Sequence, residues 1–417
     1  MTTDPSWLEG GLRHLWAPYA QMKTAPRPLA VRATQGCRLI LDEGRALIDG
    51  VASWWTAVHG YNHPRLIEAA RRQLDEMPHV MLGGLVHEQA ARLAARLARM
   101  TLPGGRVFFS ESGSVAVEVA MKIAVQYWRN SAGETRSRFV SFKGGYHGDT
   151  FATMSVCDPE EGMHALFAGV LPAQHVVDLC DLDGLRALLG REKNMAAVLV
   201  EPLIQGAGGM RVHEARTLRC LREICDEQGA LLIFDEIFTG FGRTGAMFAA
   251  NKAGVVPDIM TLGKALTGGV APLAATVASA RVYAAFHDDD PAKALMHGPT
   301  FSGYAVGCAV ANASLDLFEE EPRLHEVAAI EAMLAAAFEP LRASKAVKDV
   351  RVLGAMGAVE LAAPYDVEAA RARFIERGVF IRPLGQVIYL TPAYVIGADE
   401  LGLLTAAVSE EAARLSA

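Results

Sequence analysis

Two side chains of chemically useful type stand at the ends of apolar runs, twenty-nine residues apart. In ALLIFDEIFTGFGRTG, residues 230–245, an apolar run ends in the pair Asp235 and Glu236 and then a Gly-rich loop. In PDIMTLGKALTGG, Lys264 follows a second apolar run and sits among Gly263, Gly268 and Gly269. An acid at the carboxyl end of a parallel strand faces the crevice in which such sheets bind ligands. From there it can hold a proton on a pyridine nitrogen, so that the ring of pyridoxal phosphate accepts electrons from a substrate carbanion. A lysine desolvated among small residues can act as a nucleophile and then as a general base. Singly, Asp235 reads equally as a helix-capping or magnesium-binding acid, and Lys264 as a solvated surface residue. Together, each at a strand end, they make a specific pair. A phosphate loop is excluded, because GxxxxGK[ST] needs Gly where Asp258 stands and Ser or Thr where Ala265 stands.

Two further segments add donors and an aromatic ring. SESGSVAVEVAMK places Gly113 and Ser114 between an apolar strand and a run with helical spacing. Free amides at a helix N-terminus bind anions, Gly113 permits close backbone approach and the Ser114 hydroxyl adds a donor, together a cup for a cofactor phosphate. A simple N-cap is the plainer alternative. In FKGGYHGDT, Gly144 and Gly145 lift Tyr146 out of a strand end, where it can stack on a flat ring; a core tyrosine is the alternative. His59 and His63 in HGYNHP suggest a metal pair, but the intervening Gly and following Pro favour a turn, and no metal site is expected.

These residues need strands to present them. Short runs rich in Val, Ile and Phe alternate with amphipathic stretches from about Arg106 to Thr276, the pattern of an α/β domain with a mostly parallel sheet. Strands are expected at Arg106–Ser110, Arg138–Phe142, Ala197–Val200, Leu231–Phe234 and Ile259–Leu262. Residues 36–51 read as small hairpins, and the chain after about Asn312 turns helical, with strand signals near Val350–Leu353 and Val387–Leu390. The expected organisation is an N-terminal segment, 1–60, contributing to a small domain; a large cofactor-binding domain, 61–311; and the rest of the small domain, 312–417.

At 417 residues the chain exceeds what one core usually serves, and its 51% hydrophobic and 21% charged composition is that of a folded globular protein. A net charge of -7 without a basic cluster argues against nucleic acid or an acidic membrane surface as partner. Six scattered cysteines without CxxC spacing, no leader-like N-terminus and no apolar run of spanning length point to a reducing cytoplasm.

The combination SGSVAVE, KGGYHGDT, LVEPLIQGAGGM, DEIFTGFGRTG, TLGKALTGG and HGPTF resembles the class III aminotransferases of the fold-type I pyridoxal-phosphate family, over nearly the whole chain. Within that class, HLWAPYAQM, DGVASWWTAVHGYNHP, MLGGLVHE, MHGPTF, FIRPLG and IYLTP are similar to the members that aminate 8-amino-7-oxononanoate in biotin synthesis, with S-adenosylmethionine as donor. The resemblance implies an α/β fold in which a large domain with a mostly parallel, helix-flanked sheet carries a smaller α+β domain. It implies that Gly113 and Ser114 hold the cofactor phosphate, Asp235 the pyridine nitrogen, Lys264 the cofactor aldehyde, and that Tyr146 works beside them. Pro299 and Thr300 match a segment that reaches the neighbouring subunit's phosphate, so a homodimer with shared active sites is implied. Tyr19, Trp54, Tyr146, Gly298 and Arg382 match substrate-contacting positions, with Tyr389 nearby and Lys264 at the reacting atom. Asp149 and Arg243 match supporting positions; Glu201, His147 and His63 are read as shaping the site.

One departure bears on the donor. Class III members that use glutamate often carry QGE where this chain has Gln205, Gly206 and Ala207. Without that acid Arg382 stays available as a cation in both half-reactions, which suits two substrates that each bring a carboxylate. Tyr19, Trp54 and Trp55 offer flat surface for an adenine, a sulfonium or an acyl chain, with a core role the alternative for Trp55. Rival readings are another ω-amino-acid transaminase, an aminomutase, or a relative with lysine as donor. A non-catalytic pyridoxal-binding regulator lacks its DNA-binding domain here, and a nicotinamide dehydrogenase its GxGxxG fingerprint.

Overall fold

A computed structural model describes residues 6–160, 164–167 and 169–415. Its centre is a seven-stranded sheet. In chain order the strands are β1 (Arg106–Ser110), β2 (Arg138–Phe142), β3 (His175–Val177), β4 (Met195–Val200), β5 (Leu231–Asp235), β6 (Ile259–Leu262) and β7 (Ala274–Ala278). Their order across the sheet is β1-β7-β6-β5-β4-β2-β3. The β3-β2-β4-β5-β6 block is parallel throughout, and β7 runs antiparallel to both of its neighbours. All five expected strands form, within two residues at each end. The two that sequence reading passes over are β3, only three residues long, and β7, whose AATVA is too small and too plain to signal a strand.

Both faces of the sheet are covered, as a parallel sheet requires. Along β5, Leu231 and Ile233 point into one apolar cluster while Leu232 and Phe234 point into the other, the period of two that a strand imposes. The helix Gly113–Ala132 lays Val117, Ala120, Ile123, Ala124 and Tyr127 on the first face. The helix Ala215–Gln228 covers the second with Leu218, Leu221 and Ile224. Each helix ends on a glycine in the left-handed region, Gly133 at φ 68 and Gly229 at φ 67, so the chain reverses there without Cβ strain.

The hairpin expected in 36–51 pairs Arg38–Leu41 with Ala46–Asp49, and Val31–Gln35, ahead of the expected range, adds a strand to it. Ile48 and Asp49 then pair in parallel with Val379 and Phe380, so the two ends of the chain share a sheet. A second small sheet joins Val347–Leu353, Met356–Leu361 and Val387–Leu390. Position 311/312 falls inside the helix Ala305–Glu320. Among the described residues no helix is long and apolar enough to cross a membrane.

Candidate active site

The carboxyl ends of β1, β2, β4, β5 and β6 converge on one cavity of about 160 Å³. It is lined by Trp55, Gly113, Ser114, Tyr146, His147, Gly148, Glu201, Ala207, Asp235, Ile237, Phe238 and Lys264. Nine residues named from sequence are therefore brought together: Gly113, Ser114, Tyr146, Asp235 and Lys264, with Trp55, His147, Glu201 and Ala207 beside them.

Asp235 ends β5 and is 3% exposed. Its Oδ2 lies 2.7 Å from His147 Nδ1, and its Oδ1 accepts from the Ile237 amide and the Thr261 hydroxyl, both at 3.2 Å. Three partners fix the plane of the carboxylate. Its neighbour Glu236 faces the other way, where it accepts from the amides of Ala249 and Ala250 and from the Thr239 hydroxyl. The Asp-Glu pair thus divides into one acid for the site and one that caps the short helix Ala249–Ala253.

Lys264 follows β6 by two residues at φ 37, a left-handed conformation that is strained for a side chain of this length. Burial pushes its amine below the ordinary lysine value, against the pull of Asp235, Glu201 and Asp149. It forms no ion pair among the described residues, and its Nζ lies over the Trp55 ring, 4.8 Å from the centroid. Trp55, which sequence left between core and site, is both: 6% exposed, and packed against Phe238 along the cavity wall with ring centroids 4.3 Å apart.

The helix Gly113–Ala132 is capped by Ser112, whose Oγ accepts from the Val115 amide at 3.3 Å, and its first backbone bond runs from Ala116 to Ser112. Gly113 and Ser114 precede that bond and line the cavity, leaving helix N-terminal amides beside it. A Cβ on Gly113 would lie 3.0 Å from Ile237, and one on Gly148 would lie 2.3 Å from the Ser114 hydroxyl. Helix start and Tyr146 loop are thus closed on one another by glycines. Glu201 accepts from the amides of Tyr146 at 3.0 Å and Gly206 at 2.9 Å. Burial pushes this carboxyl up to about 7, with Asp235 adding to the rise and His147 and the two amides opposing it.

An aromatic wall leads outward from the cavity. The Tyr146 and Tyr19 hydroxyls are 3.1 Å apart, and Tyr19 also donates to Asp149. Trp54 meets Tyr19 edge-on at 6.2 Å, and the Arg382 guanidinium lies over the Trp54 ring at 5.2 Å. Arg382 has no ion-pair partner among the described residues, while burial lowers its affinity for the proton. Tyr389 is buried, edge-on to Trp55 at 6.3 Å. Gly298, Pro299 and Thr300 lie elsewhere: Gly298 and Thr300 are exposed, no side chain approaches Gly298, and the Thr300 carbonyl meets His79 Nε2 at 3.0 Å. His59 is buried against Ser314 and Arg323, and His63 precedes Pro64 at the start of the helix Pro64–Glu76.

The model of the class III aminotransferases matches residues 19–410. The chain belongs to the class III aminotransferases. Among its relatives, the adenosylmethionine-8-amino-7-oxononanoate aminotransferase of Corynebacterium glutamicum is 42% identical over 97% of this chain and 98% of that protein. The protein of the same name from Mycobacterium leprae is 43% identical over 96% of this chain and 95% of that one. In structure, the chain is similar to adenosylmethionine-8-amino-7-oxononanoate aminotransferase from Methanocaldococcus jannaschii, with a TM-score of 0.91, 32% identity and 97% and 98% coverage. It is also similar to an amine transaminase from an uncultivated Pseudomonas species in its PLP-bound form, with a TM-score of 0.89, 34% identity and 96% and 99% coverage. For a class III aminotransferase the cavity fits the cofactor that this family uses. An acid, an amine, helix N-terminal amides and an aromatic ring surround one space, each of a type that pyridoxal phosphate requires.

Sequence reasoning did not weigh His147 as the partner of Asp235, Gly148 as a contact of Ser114, or Phe238 and Ile237 as cavity wall. His147 carried a usable signal, being adjacent to Tyr146 in KGGYHGDT. The other three owe their places to packing alone.

Proposed function

We propose that this aminotransferase converts 8-amino-7-oxononanoate to 7,8-diaminononanoate in biotin synthesis, taking the amino group from S-adenosylmethionine. The observation that carries this reading is the wall Tyr146, Tyr19, Trp54 and Arg382, contiguous with the cavity that holds Lys264 and Asp235. The relatives whose names state this reaction, similar over almost their whole length, support it.

Pyridoxal phosphate, bound in the cavity, supplies an aldehyde for the migrating amino group and a ring that withdraws electrons from the substrate carbon. Gly113 and Ser114 hold its phosphate, with Pro299 and Thr300 of a second subunit reaching it across a homodimer. Asp235, oriented by His147 and Thr261, retains a proton on the ring nitrogen. Lys264, whose amine burial pushes below the ordinary lysine value, would give way to the substrate amine and then carry the proton at the substrate carbon. Trp55 and Phe238 exclude water from that transfer.

The same wall supports the choice of donor. Aromatic faces attract a sulfonium and an adenine, while the unpaired Arg382 grips a carboxylate. Ala207 lines the cavity where an acid would otherwise compete for that arginine. Glutamate would bring a second carboxylate against a wall that offers no second cation, at a desolvation cost. In a single turnover without acceptor, adenosylmethionine is expected to discharge the visible band of the bound cofactor, and glutamate and alanine to leave it. Discharge by glutamate alone would overturn the donor and leave the transamination; discharge by lysine would favour the rival reading with lysine as donor.

A further inference from the structure

Glu201 follows β4 directly, is 5% exposed, and puts a carboxyl group at the cavity wall with each oxygen engaged by a backbone amide. Oε2 accepts from the amide of Tyr146 on the loop after β2, and Oε1 accepts from the amide of Gly206 on the loop after β4. These loops leave adjacent strands and meet at the cavity wall, to which one brings the Tyr146 ring and the other the Ala207 methyl. They are in contact elsewhere too: Gln205 donates to the Lys143 carbonyl at 2.9 Å, and a Cβ on Gly208 would lie 1.7 Å from the Gly144 carbonyl oxygen. Behind Gly206 stands Phe238, whose ring a Cβ there would meet at 2.7 Å, and Phe238 in turn packs at a tilt against Trp55. At its far end the second loop is held by Arg351, which donates to the carbonyls of Gly209 and Met210, both at 2.9 Å. A buried carboxyl group whose two oxygens both accept from backbone amides is a rigid staple, since leaving either amide unpartnered in that interior is costly.

We propose that Glu201 is a positioning residue that fixes the distance between the Tyr146 loop and the Ala207 loop, and so sets the width of the slot into which substrate enters above Lys264. It touches neither substrate nor cofactor in this role; it acts through Tyr146 and through the Gly206–Phe238–Trp55 contacts. The inference rests on the proposed transamination for its kinetic consequences but not for its structural ones.

The two halves are tested separately on the full-length holoenzyme. Amide hydrogen exchange followed by mass spectrometry compares wild type with Glu201→Gln, which keeps shape but turns one acceptor into a donor, and Glu201→Asp, which keeps charge but cannot span both loops. Exchange is expected to rise roughly tenfold or more in peptides covering 143–149 and 203–209 in both variants, with β2 and β4 unchanged. A uniform rise across the domain would reduce Glu201 to a general stability element, and unchanged loops would overturn the staple outright. In steady-state assays with adenosylmethionine and 8-amino-7-oxononanoate, both variants are expected to raise KM about tenfold, with a smaller change in kcat. A normal Glu201→Asp beside a defective Glu201→Gln would mean that charge, not reach, is what matters, and would refute positioning. Glu201→Gln combined with Tyr146→Phe must lose less than the product of the single losses, because both act through one ring; independent losses would overturn the route through Tyr146. Loss of loop protection in a protein inactive on these two substrates would refute the proposed function and leave the staple standing.

Discussion

At the scale of single residues the site consists of an acid and an amine whose surroundings give them opposite tasks. Asp235 is held by His147, Thr261 and the Ile237 amide, so its charge stays in one place. Asp235→Asn is expected to leave cofactor uptake intact and to lower turnover by roughly 10²- to 10⁴-fold, because a neutral amide cannot hold the ring nitrogen's proton and the His147 contact must reverse its polarity. Near-normal turnover, measured with saturating cofactor, would place that role elsewhere. Lys264 is held in a strained backbone conformation over Trp55, with no ion pair among the described residues. Lys264→Ala is expected to retain cofactor through the phosphate contacts proposed for Gly113 and Ser114 while turnover falls by about 10³-fold or more. Borohydride reduction of the wild type followed by peptide mapping checks the same residue: the adduct belongs on Lys264, and an adduct on Lys143 or Lys252 would refute the assignment.

At the scale of elements, the strand ends decide which residues can meet, and a neighbouring acid shows how. Glu236 leaves β5 one residue after Asp235 yet serves the start of the helix Ala249–Ala253. Burial pushes its carboxyl up to about 7, with Asp235 adding to the rise and the bonds from Ala250, Ala249 and Thr239 opposing it. The folded state therefore holds this proton more tightly than the unfolded chain, whose glutamates titrate near ~4.3. With more protons bound in the folded state, stability contributed by this group falls as pH rises from the unfolded value toward 7. Glu236→Gln has no proton to lose. The thermal midpoint of the wild type, relative to Glu236→Gln, is expected to decline between pH 5 and 7.5, on the order of a few degrees. A pH-independent difference would show that the carboxyl is not protonated in the fold.

At the scale of the whole molecule, one subunit presents residues that its own cavity does not use. Gly298 and Thr300 are exposed beside Met296 and Phe301, which are 79% and 50% exposed, and Met81, Leu85 and Val86 are exposed apolar side chains as well. An exposed apolar set of this kind is the signature of a partner surface. If Thr300 serves the site of a second copy, Thr300→Ala should weaken cofactor retention roughly tenfold or more, a hydrogen bond to a charged group being worth about 1.5–3 kcal/mol. Mixed dimers give the decisive reading. A subunit carrying Lys264→Ala paired with one carrying Thr300→Ala should place both lesions at one site and leave the other site intact. The activity of the mixture should then exceed what the two parent variants give; strictly additive activities would show that each Thr300 serves its own chain.

The chemistry of this protein was legible wherever one residue's role depends on its immediate sequence. Apolar runs ending in Asp235 and before Lys264, glycines around Gly113 and Tyr146, and the alternation of strand and helix specify local conformations, because strand and helix periods and glycine's freedom act over a few residues. The seven-stranded sheet was legible in five strands; β7, made of small residues, and the three-residue β3 are strands only because neighbours pair with them. What the tertiary structure alone decided are the contacts made across long stretches of chain. His147 reaches Asp235 over 88 residues, Tyr19 reaches Tyr146 over 127, and Trp55 comes to lie beneath the amine of Lys264. Glu201 and Glu236 differ little in sequence, each an acid just beyond a buried strand, yet one joins two loops of the site and the other caps a helix. Which amides an acid finds is set by the side of the sheet on which the chain leaves its strand, and no local pattern encodes that choice.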